Sequence, residues 1–208
     1  MDRRARPSRQ GSVGRLVSGR GVAVHVRGHG PVETDIDASP AVVWGLVTDI
    51  ELPARFSTEF LGATWDSDDR DVGAVFHGRN RHPAIGEWTI PCYIDVRHEG
   101  RVFGWCTSNL DRPGARWRFE LEPTGGGTRL RFSYLLGPGQ SGTTRAIAMN
   151  PGKEDRVLRR RLNDVQANMQ ATIDGVKAPR RSRIVRGSRT STRRRSTSTP
   201  GLCASSVA

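Results

Sequence analysis

The fold is decided by residues 151–177, which read PGKEDRVLRRRLNDVQANMQATIDGVK. Apolar side chains recur here every three or four residues, a spacing that places them on one face of an α-helix. They are Leu158, Leu162, Val165, Met169, Ile173 and Val176. A helix that starts at Asn150-Pro151 has about 27 residues and a length of about 40 Å, enough to cross an entire sheet.

Residues 61–136 carry turn signals at short intervals and predict a series of β-strands. The last hairpin takes Gly125-Gly126 as its turn, which pairs Leu121 with Leu130, Phe119 with Phe132, and Trp117 with Tyr134. The opposite face is charged, as in an antiparallel sheet that is covered on one side only. Its residues are Arg116, Arg118, Glu120, Arg129 and Arg131.

A second hairpin takes Glu99-Gly100 as a two-residue turn. This register pairs His98 with Arg101, Val96 with Phe103, and Ile94 with Trp105. Large apolar residues then share one face of the sheet. The same register puts Cys92 and Cys106 on opposite faces, so we expect no disulfide between them.

A strand and two short helices precede this β region. Residues 32–37 alternate apolar and polar side chains, as a half-buried strand does. Ser39 and Pro40 are typical of a helix N-cap and first position, and they predict a helix over residues 41–48. A second short helix is expected over residues 50–56. The chain is therefore expected to form an α+β domain with a seven-stranded antiparallel sheet and a long C-terminal helix.

The formal net charge of +12 suggests a nucleic-acid binder, but its distribution does not. Residues 1–30 carry +6, residues 179–208 carry +8, and residues 31–178 carry −2. Both ends have too few apolar residues to offset the entropy of folding. We expect two disordered basic extensions, residues 1–30 and 179–208, around one globular domain at residues 31–178.

Several classes of protein are not expected from the sequence. No stretch has the roughly 20 apolar residues that span a bilayer, and no apolar core of a signal peptide follows the N-terminal arginines. Cys92, Cys106 and Cys203 are too few and too scattered for a disulfide framework or a zinc site. We expect a cytoplasmic protein with no cofactor and no metal.

Six short motifs resemble the START-like SRPBCC superfamily, in its polyketide cyclase/dehydrase and lipid transport-like branch. They are IDASPAVVW at residues 36–44, VTD at 47–49, GAVFHGRNR at 73–81, WT at 88–89 with Cys92 after it, FGW at 103–105, and WRFELEPTGGGT at 117–128. The resemblance implies the helix-grip (START/Bet v 1-like) fold, in which a curved sheet wraps around the last helix. It also implies an apolar cavity between them, which in relatives holds lipids, polyketides or isoprenoid quinones.

Large apolar side chains are expected to face the last helix. As a cavity lining they would stack on a ring-bearing or isoprenoid ligand; the alternative is an ordinary core. The candidate ligand-binding residues are Phe76, Asn80, Trp88, Cys92, Ile94, Phe103, Trp105, Trp117, Phe119, Phe132, Tyr134, Leu162, Val165 and Met169.

A dense polar run, His77 to His82, is interpreted either as a clamp for a ligand oxygen at the cavity mouth or as a solvated strand end. Asn80 continues the alternation of Phe76 and Gly78 and is expected to point inward. The weak catalytic candidates are His77, Asn80 and Tyr134, with Tyr93 and Glu87 as further acid–base groups; no pair has a recognisable catalytic spacing. The run Arg159-Arg160-Arg161 is interpreted as a solvated helix face, or else as a contact for anionic lipid headgroups.

Three functions remain open at this point. The first is binding or transport of a small hydrophobic or aromatic metabolite, without catalysis. The second is a polyketide cyclase/dehydratase that uses the same cavity, and the third is polyanion binding through the basic extensions. We expect a small hydrophobic ligand as partner and no specific nucleic acid, and we leave open whether the chain is a monomer or a dimer.

Overall fold

The computed structural model describes residues 30–177, so the predicted disorder of the two basic extensions lies outside the described residues. Seven strands form one antiparallel sheet in the order β1-β7-β6-β5-β4-β3-β2, with a long helix at the C-terminal end. The elements are β1 Val32–Ile36, α1 Pro40–Val47, a 3-10 helix Leu52–Arg55, β2 Phe60–Trp65, β3 Val75–His82, β4 Gly86–His98, β5 Val102–Thr107, β6 Ala115–Thr124, β7 Gly127–Leu136, α2 Gly142–Ala148 and α3 Glu154–Lys177. The predicted α+β helix-grip architecture is confirmed.

The hairpin of β6 and β7 has the predicted register. Phe119 lies opposite Phe132, and Trp117 lies opposite Tyr134. The outer face is charged as expected, and it adds ion pairs to the neighbouring strand β1. Arg129 donates to Asp35 at 3.0 Å and Arg131 donates to Glu33 at 2.7 Å.

The hairpin of β4 and β5 differs from its predicted register near the turn. His98 pairs with Val102 rather than Arg101, and Val96 pairs with Gly104 rather than Phe103. The loop therefore has one residue more than the two-residue turn would give. A β-bulge between Ile94 and Val96 absorbs this extra residue, so that Ile94 still lies opposite Trp105 as predicted.

The two cysteines of the described domain lie on opposite faces of the sheet. Cys92 pairs with Thr107, whereas Cys106 pairs with Tyr93, one position out of phase. Both are buried free thiols, as expected.

The opening segment folds close to the prediction. Ser39 occupies the N-cap of α1 and Pro40 its first position, although the Ser39 side chain makes no capping hydrogen bond. The second helix is shorter than predicted, with only four residues in 3-10 conformation around Pro53. Strand β3 begins at Val75, after a turn over residues 71–73 in which Gly73 has a φ of +96°.

The start of the long helix was predicted wrongly. A separate short helix, α2, occupies Gly142–Ala148 and is closed at its start by a capping box between Ser141 and Thr144. Gly152 then takes a left-handed φ of +79°, which ends the preceding turn, and α3 begins at Glu154. Helix α2 has only seven residues, and three of them are β-branched. The sequence of so short a segment shows no helical periodicity.

The helix α3 packs against β1, α2, β7 and the 3-10 helix. Its six predicted apolar positions are all buried. Most of them join a core with α1 and the inner face of the sheet, while Leu158 and Leu162 form a smaller cluster with Leu136. Helix α1 covers β6 and β7 and sets the ring of Trp44 edge-on against Phe103 of β5, with centroids 6.2 Å apart. Strands β3 and β4 therefore have the least close helix cover.

Gly104 is required at the bulge, which gives a first prediction. A Cβ at this position would lie 2.7 Å from Cγ1 of Val96 and 2.9 Å from the carbonyl oxygen of Trp117. We expect Gly104→Ala to lower the free energy of unfolding by about 1–3 kcal/mol through overpacking. Urea unfolding followed by tryptophan fluorescence measures it.

The matched control is Gly125→Ala, since a Cβ there meets nothing within 4 Å. It should change the free energy of unfolding by less than about 0.5 kcal/mol. Equal urea midpoints for the two variants would show that the bulge is not built as described.

Candidate functional site

A cavity of about 110 Å³ lies between the inner face of the sheet and α3. Its floor comes from β3 to β7, one wall from α3, and another from the end of α1 and the segment that leads into β2. The lining residues are Val47, Asp49, Ile50, Pro53, Ser57, Glu59, Phe60, Phe76, Asn80, Ile90, Cys92, Phe103, Trp105, Thr107, Trp117, Phe119, Phe132, Arg161, Val165, Asn168, Met169 and Thr172.

Aromatic rings cover the floor of the cavity. Trp105 and Trp117 lie opposite each other on β5 and β6, and their rings stack with centroids 6.2 Å apart and an interplanar angle of 12°. Phe119 on β6 and Phe132 on β7 lie opposite each other, and their rings stack with centroids 4.0 Å apart. Phe76 meets Trp105 edge-on at 6.0 Å. The strand registers therefore assemble one continuous aromatic surface from four strands.

Most of the predicted ligand-binding residues line this cavity, and ligand contact by any of them remains a prediction. Those in the lining are Phe76, Asn80, Cys92, Phe103, Trp105, Trp117, Phe119, Phe132, Val165 and Met169.

Four of the predicted residues do not line the cavity. Ile94 is completely buried within the main core. Leu162 packs against Leu136 and Leu158 in the smaller cluster, with Tyr134 beside them. Trp88 lies near the end of the β3–β4 hairpin, where its ring is close to the start of α2. Their apolar character alone did not distinguish core from lining.

One edge of the cavity is polar, and its main feature is a buried ion pair. Both terminal nitrogens of Arg161 donate to the carboxylate of Glu59, Nη2 to Oε1 at 2.7 Å and Nη1 to Oε2. The side chains of Glu59 and Arg161 are only 10% and 18% exposed. Such a bidentate pair fixes both groups in position as well as in charge.

The segment that carries Glu59 is held from both sides. The hydroxyl of Ser57 accepts hydrogen bonds from the backbone N–H groups of Glu59 and Phe60, and the carbonyl of Glu59 accepts from the N–H of Arg81 on β3. Two turns along α3, Oδ1 of Asn168 accepts from the N–H of Thr58 at 3.1 Å. The segment is thus tied to α3 at two points.

The inward position of Arg161 was missed from the sequence. Arg159 and Arg160 are exposed, as a solvated helix face requires, but Arg161 points to the cavity. The signal was its spacing, since residue 161 lies three positions after Leu158 and four before Val165 and so shares the face of the apolar stripe. Asn168 and Thr172 follow on the same edge of the helix.

Burial and charge set the protonation of the cavity groups. Burial raises the pKa of the Cys92 thiol to about 12, so that it is a neutral lining group at physiological pH. Burial lowers the pKa of Arg161, but the hydrogen bonds and the negative charge of Glu59 outweigh it and raise the pKa above its usual value. Burial also raises the pKa of Tyr134 to about 12, beside the cavity rather than in its lining.

The polar run of β3 is divided between the two faces of the sheet. Asn80 points into the cavity as predicted, where its Nδ2 donates to the carbonyl of Gly78 at 3.2 Å. His77 lies on the outer face, 41% exposed, with Nε2 3.5 Å from Oδ1 of Asp66. Arg81 pairs with Glu87 on the surface. The predicted acid–base candidates His77, Tyr93, Glu87 and Tyr134 are therefore absent from the lining.

A sequence model of one protein family matches residues 29–178, and the family is described as polyketide cyclase/dehydrase and lipid transport. No curated protein matches the chain. None of the described helices is both long and apolar enough to cross a membrane.

Among solved structures, a polyketide cyclase-like protein of Corynebacterium glutamicum is similar, with 25% identity and a TM-score of 0.51 over 71% of this chain and 88% of that one. The di-domain ARO/CYC StfQ from the steffimycin biosynthetic pathway has 11% identity and a TM-score of 0.56 over 71% of this chain and 49% of that one. The chain thus spans about half of StfQ, and this second likeness concerns the fold alone.

The buried ion pair gives a second prediction. We expect Glu59→Leu to lower the free energy of unfolding by about 3 kcal/mol, because it leaves the Arg161 charge buried without its partner. The double variant Glu59→Leu/Arg161→Met should recover most of that loss, since apolar groups of similar size replace both charges. Chemical denaturation of the single and double variants measures this coupling.

Arg160→Met is the control, because Arg160 is exposed on the same helix. It should leave the unfolding curve near that of the wild type. If the single and double variants at the ion pair were equally stable, the two charges would have to be solvated rather than buried.

Proposed function

The chain belongs to the polyketide cyclase/dehydrase and lipid transport family, and we propose that it binds a small, largely apolar molecule in the cavity between its sheet and α3. The observation that carries this proposal is the aromatic floor. Protein interiors are close-packed, with few voids larger than a water molecule. Here Trp105 and Trp117 remain only partly buried and border an open space of about 110 Å³. Large rings beside an open space are what a ring-bearing or lipid-like ligand would cover.

The volume of the cavity limits how much of a ligand can enter it. An apolar cavity of about 150 Å³ is known to take up benzene, so a space of about 110 Å³ is of the scale of one small ring. A polyketide, isoprenoid or lipid would place a ring-sized or chain-sized portion on Trp105 and Phe76. The remainder of such a ligand would extend beyond this space.

Binding or transport is better supported than catalysis. A cyclase or dehydratase needs a general acid–base within hydrogen-bond reach of the bound substrate. Among the titratable side chains of the lining, Cys92 is kept neutral by burial, and Glu59 is held in its bidentate ion pair. Oδ2 of Asp49 accepts a hydrogen bond from Nη2 of Arg55 at 2.7 Å. Enzymatic use of the same cavity therefore remains the alternative, with Glu59 as the group that it would require.

Other aspects of function remain predictions. Polyanion binding through the basic extensions concerns residues outside the described range. The cytoplasmic location is likewise a prediction from the sequence, which does not choose between a monomer and a dimer.

Filling the cavity gives a third prediction. We expect Val165→Phe to abolish ligand binding, because the larger ring projects from α3 into the lining. Native mass spectrometry of the cell-purified protein, followed by extraction of any bound compound, should find an apolar molecule on the wild type and none on the variant. A panel of lipids and aromatic polyketides should raise the melting temperature of the wild type only.

Val157→Phe is the matched control, since Val157 lies on the same helix outside the lining. It should retain binding, and so should a chain without residues 179–208. A wild type that co-purifies with no apolar compound and does not respond to the panel would refute the proposal.

A further inference from the structure

The polar edge of the cavity is formed by Glu59, Asn80, Arg161 and Asn168. The backbone N–H of Arg81 donates to the carbonyl of Glu59, and Asn80 lies opposite Phe60, so Asn80 is one position away from Glu59 across the pair of strands. Arg161 and Asn168 lie two turns apart on one edge of α3. All four line the same cavity as the aromatic floor. A bound molecule would therefore meet rings on one side and these four groups on the other.

The charges of the polar edge are balanced. The cation of Arg161 is neutralised by Glu59 within the lining. Asp49, the other carboxyl group of the lining, pairs with Arg55. An anionic ligand would have to compete with a buried carboxylate for Arg161, and its own desolvation would not be offset. The same reasoning disfavours a cation, because Glu59 is already occupied.

Hydrogen-bonding capacity nevertheless remains at this edge. Arg161 uses one N–H of each terminal nitrogen for Glu59, and a guanidinium has further N–H donors beyond these. Oδ1 of Asn168 accepts from Thr58, which leaves its amide N–H groups without a partner among residues 30–177. Oδ1 of Asn80 likewise has no donor within that range. The edge thus offers both donors and an acceptor to a group that carries no charge.

We infer that Glu59 and Arg161 form a recognition site for an uncharged oxygen, a hydroxyl, phenol or keto group, on the part of the ligand that enters the cavity. Arg161 donates to this oxygen, while Glu59 fixes the guanidinium and excludes carboxylates. This inference rests on the proposed binding function. It adds that the pair selects between ligands of equal apolar size.

Three single-ring probes of matched shape test the inference: toluene, p-cresol and p-toluate. Titrations followed by NMR shifts of the Trp105 and Trp117 indole N–H groups give their dissociation constants. In the wild type we expect p-cresol to bind about tenfold more tightly than toluene, because a hydrogen bond to a charged group lowers the dissociation constant by about this factor. The anion p-toluate should bind at least about tenfold more weakly than p-cresol.

Two variants assign the selection to the ion pair. In Glu59→Leu/Arg161→Met, toluene should bind more tightly than in the wild type and p-cresol should lose its advantage. In Glu59→Gln, Arg161 is freed from its carboxylate, so the affinity for p-toluate should rise about tenfold or more. Arg160→Met, on the exposed face of α3, should keep the wild-type order of all three probes.

The outcomes separate this inference from the proposed function. Toluene binding without a p-cresol advantage, or with p-toluate as the tightest probe, overturns the recognition site while the cavity stands. A p-cresol advantage that survives in the double variant also overturns it. If none of the probes shifts the indole signals of the wild type, the binding cavity itself fails, and the recognition site with it.

Discussion

One helix cannot cover one face of a seven-stranded sheet, and the rest of this structure follows from that mismatch. Strands lie about 4.8 Å apart, so seven of them make a surface about 30 Å wide, whereas a helix with its side chains is about 10–12 Å across. Here α3 packs closest to β1 and β7. The inner faces of β3 to β5 must then be covered by α1, whose Trp44 packs on Phe103, by large side chains, by the short segment around the 3-10 helix, or by a ligand. Trp105 and Trp117 cover part of this surface, and the cavity is the part that they leave.

The same constraint accounts for the polar edge. The apolar stripe of α3 is narrower than the surface that it faces, so the positions beside the stripe project over the cavity instead of into solvent. Arg161, Asn168 and Thr172 occupy these positions. An arginine there is stable only with a counter-charge, because a buried lone cation is costly. Glu59 supplies that charge from the opposite wall, and the pair thereby ties the segment before β2 to the helix.

The sequence predicted those features that depend on short-range periodicity. The alternation across Gly125-Gly126 gave the whole register of β6 and β7, and with it the stacking of Phe119 on Phe132. The β4–β5 register was right at Ile94 only because a longer loop and a bulge compensate for each other. A bulge inserts one residue into a strand, here between Ile94 and Val96, and the alternation of side chains does not reveal it. The short helix α2 was missed because seven residues contain too few turns for a periodic signal.

The contacts of the site that the sequence does not predict are those between residues far apart in the chain. The aromatic lining could be predicted because strand alternation directs each ring to one face. The Glu59–Arg161 pair joins residues 102 positions apart, and in the sequence Arg161 looks like its exposed neighbours Arg159 and Arg160. Only its place relative to Leu158 and Val165 marks it as inward. For helices laid across a sheet, a charged residue in phase with the apolar stripe is therefore a stronger indication of a site than a cluster of charges. An exposed cluster is stabilised by water, whereas an in-phase charge needs a partner, and in this protein that partner lies in the lining of the cavity.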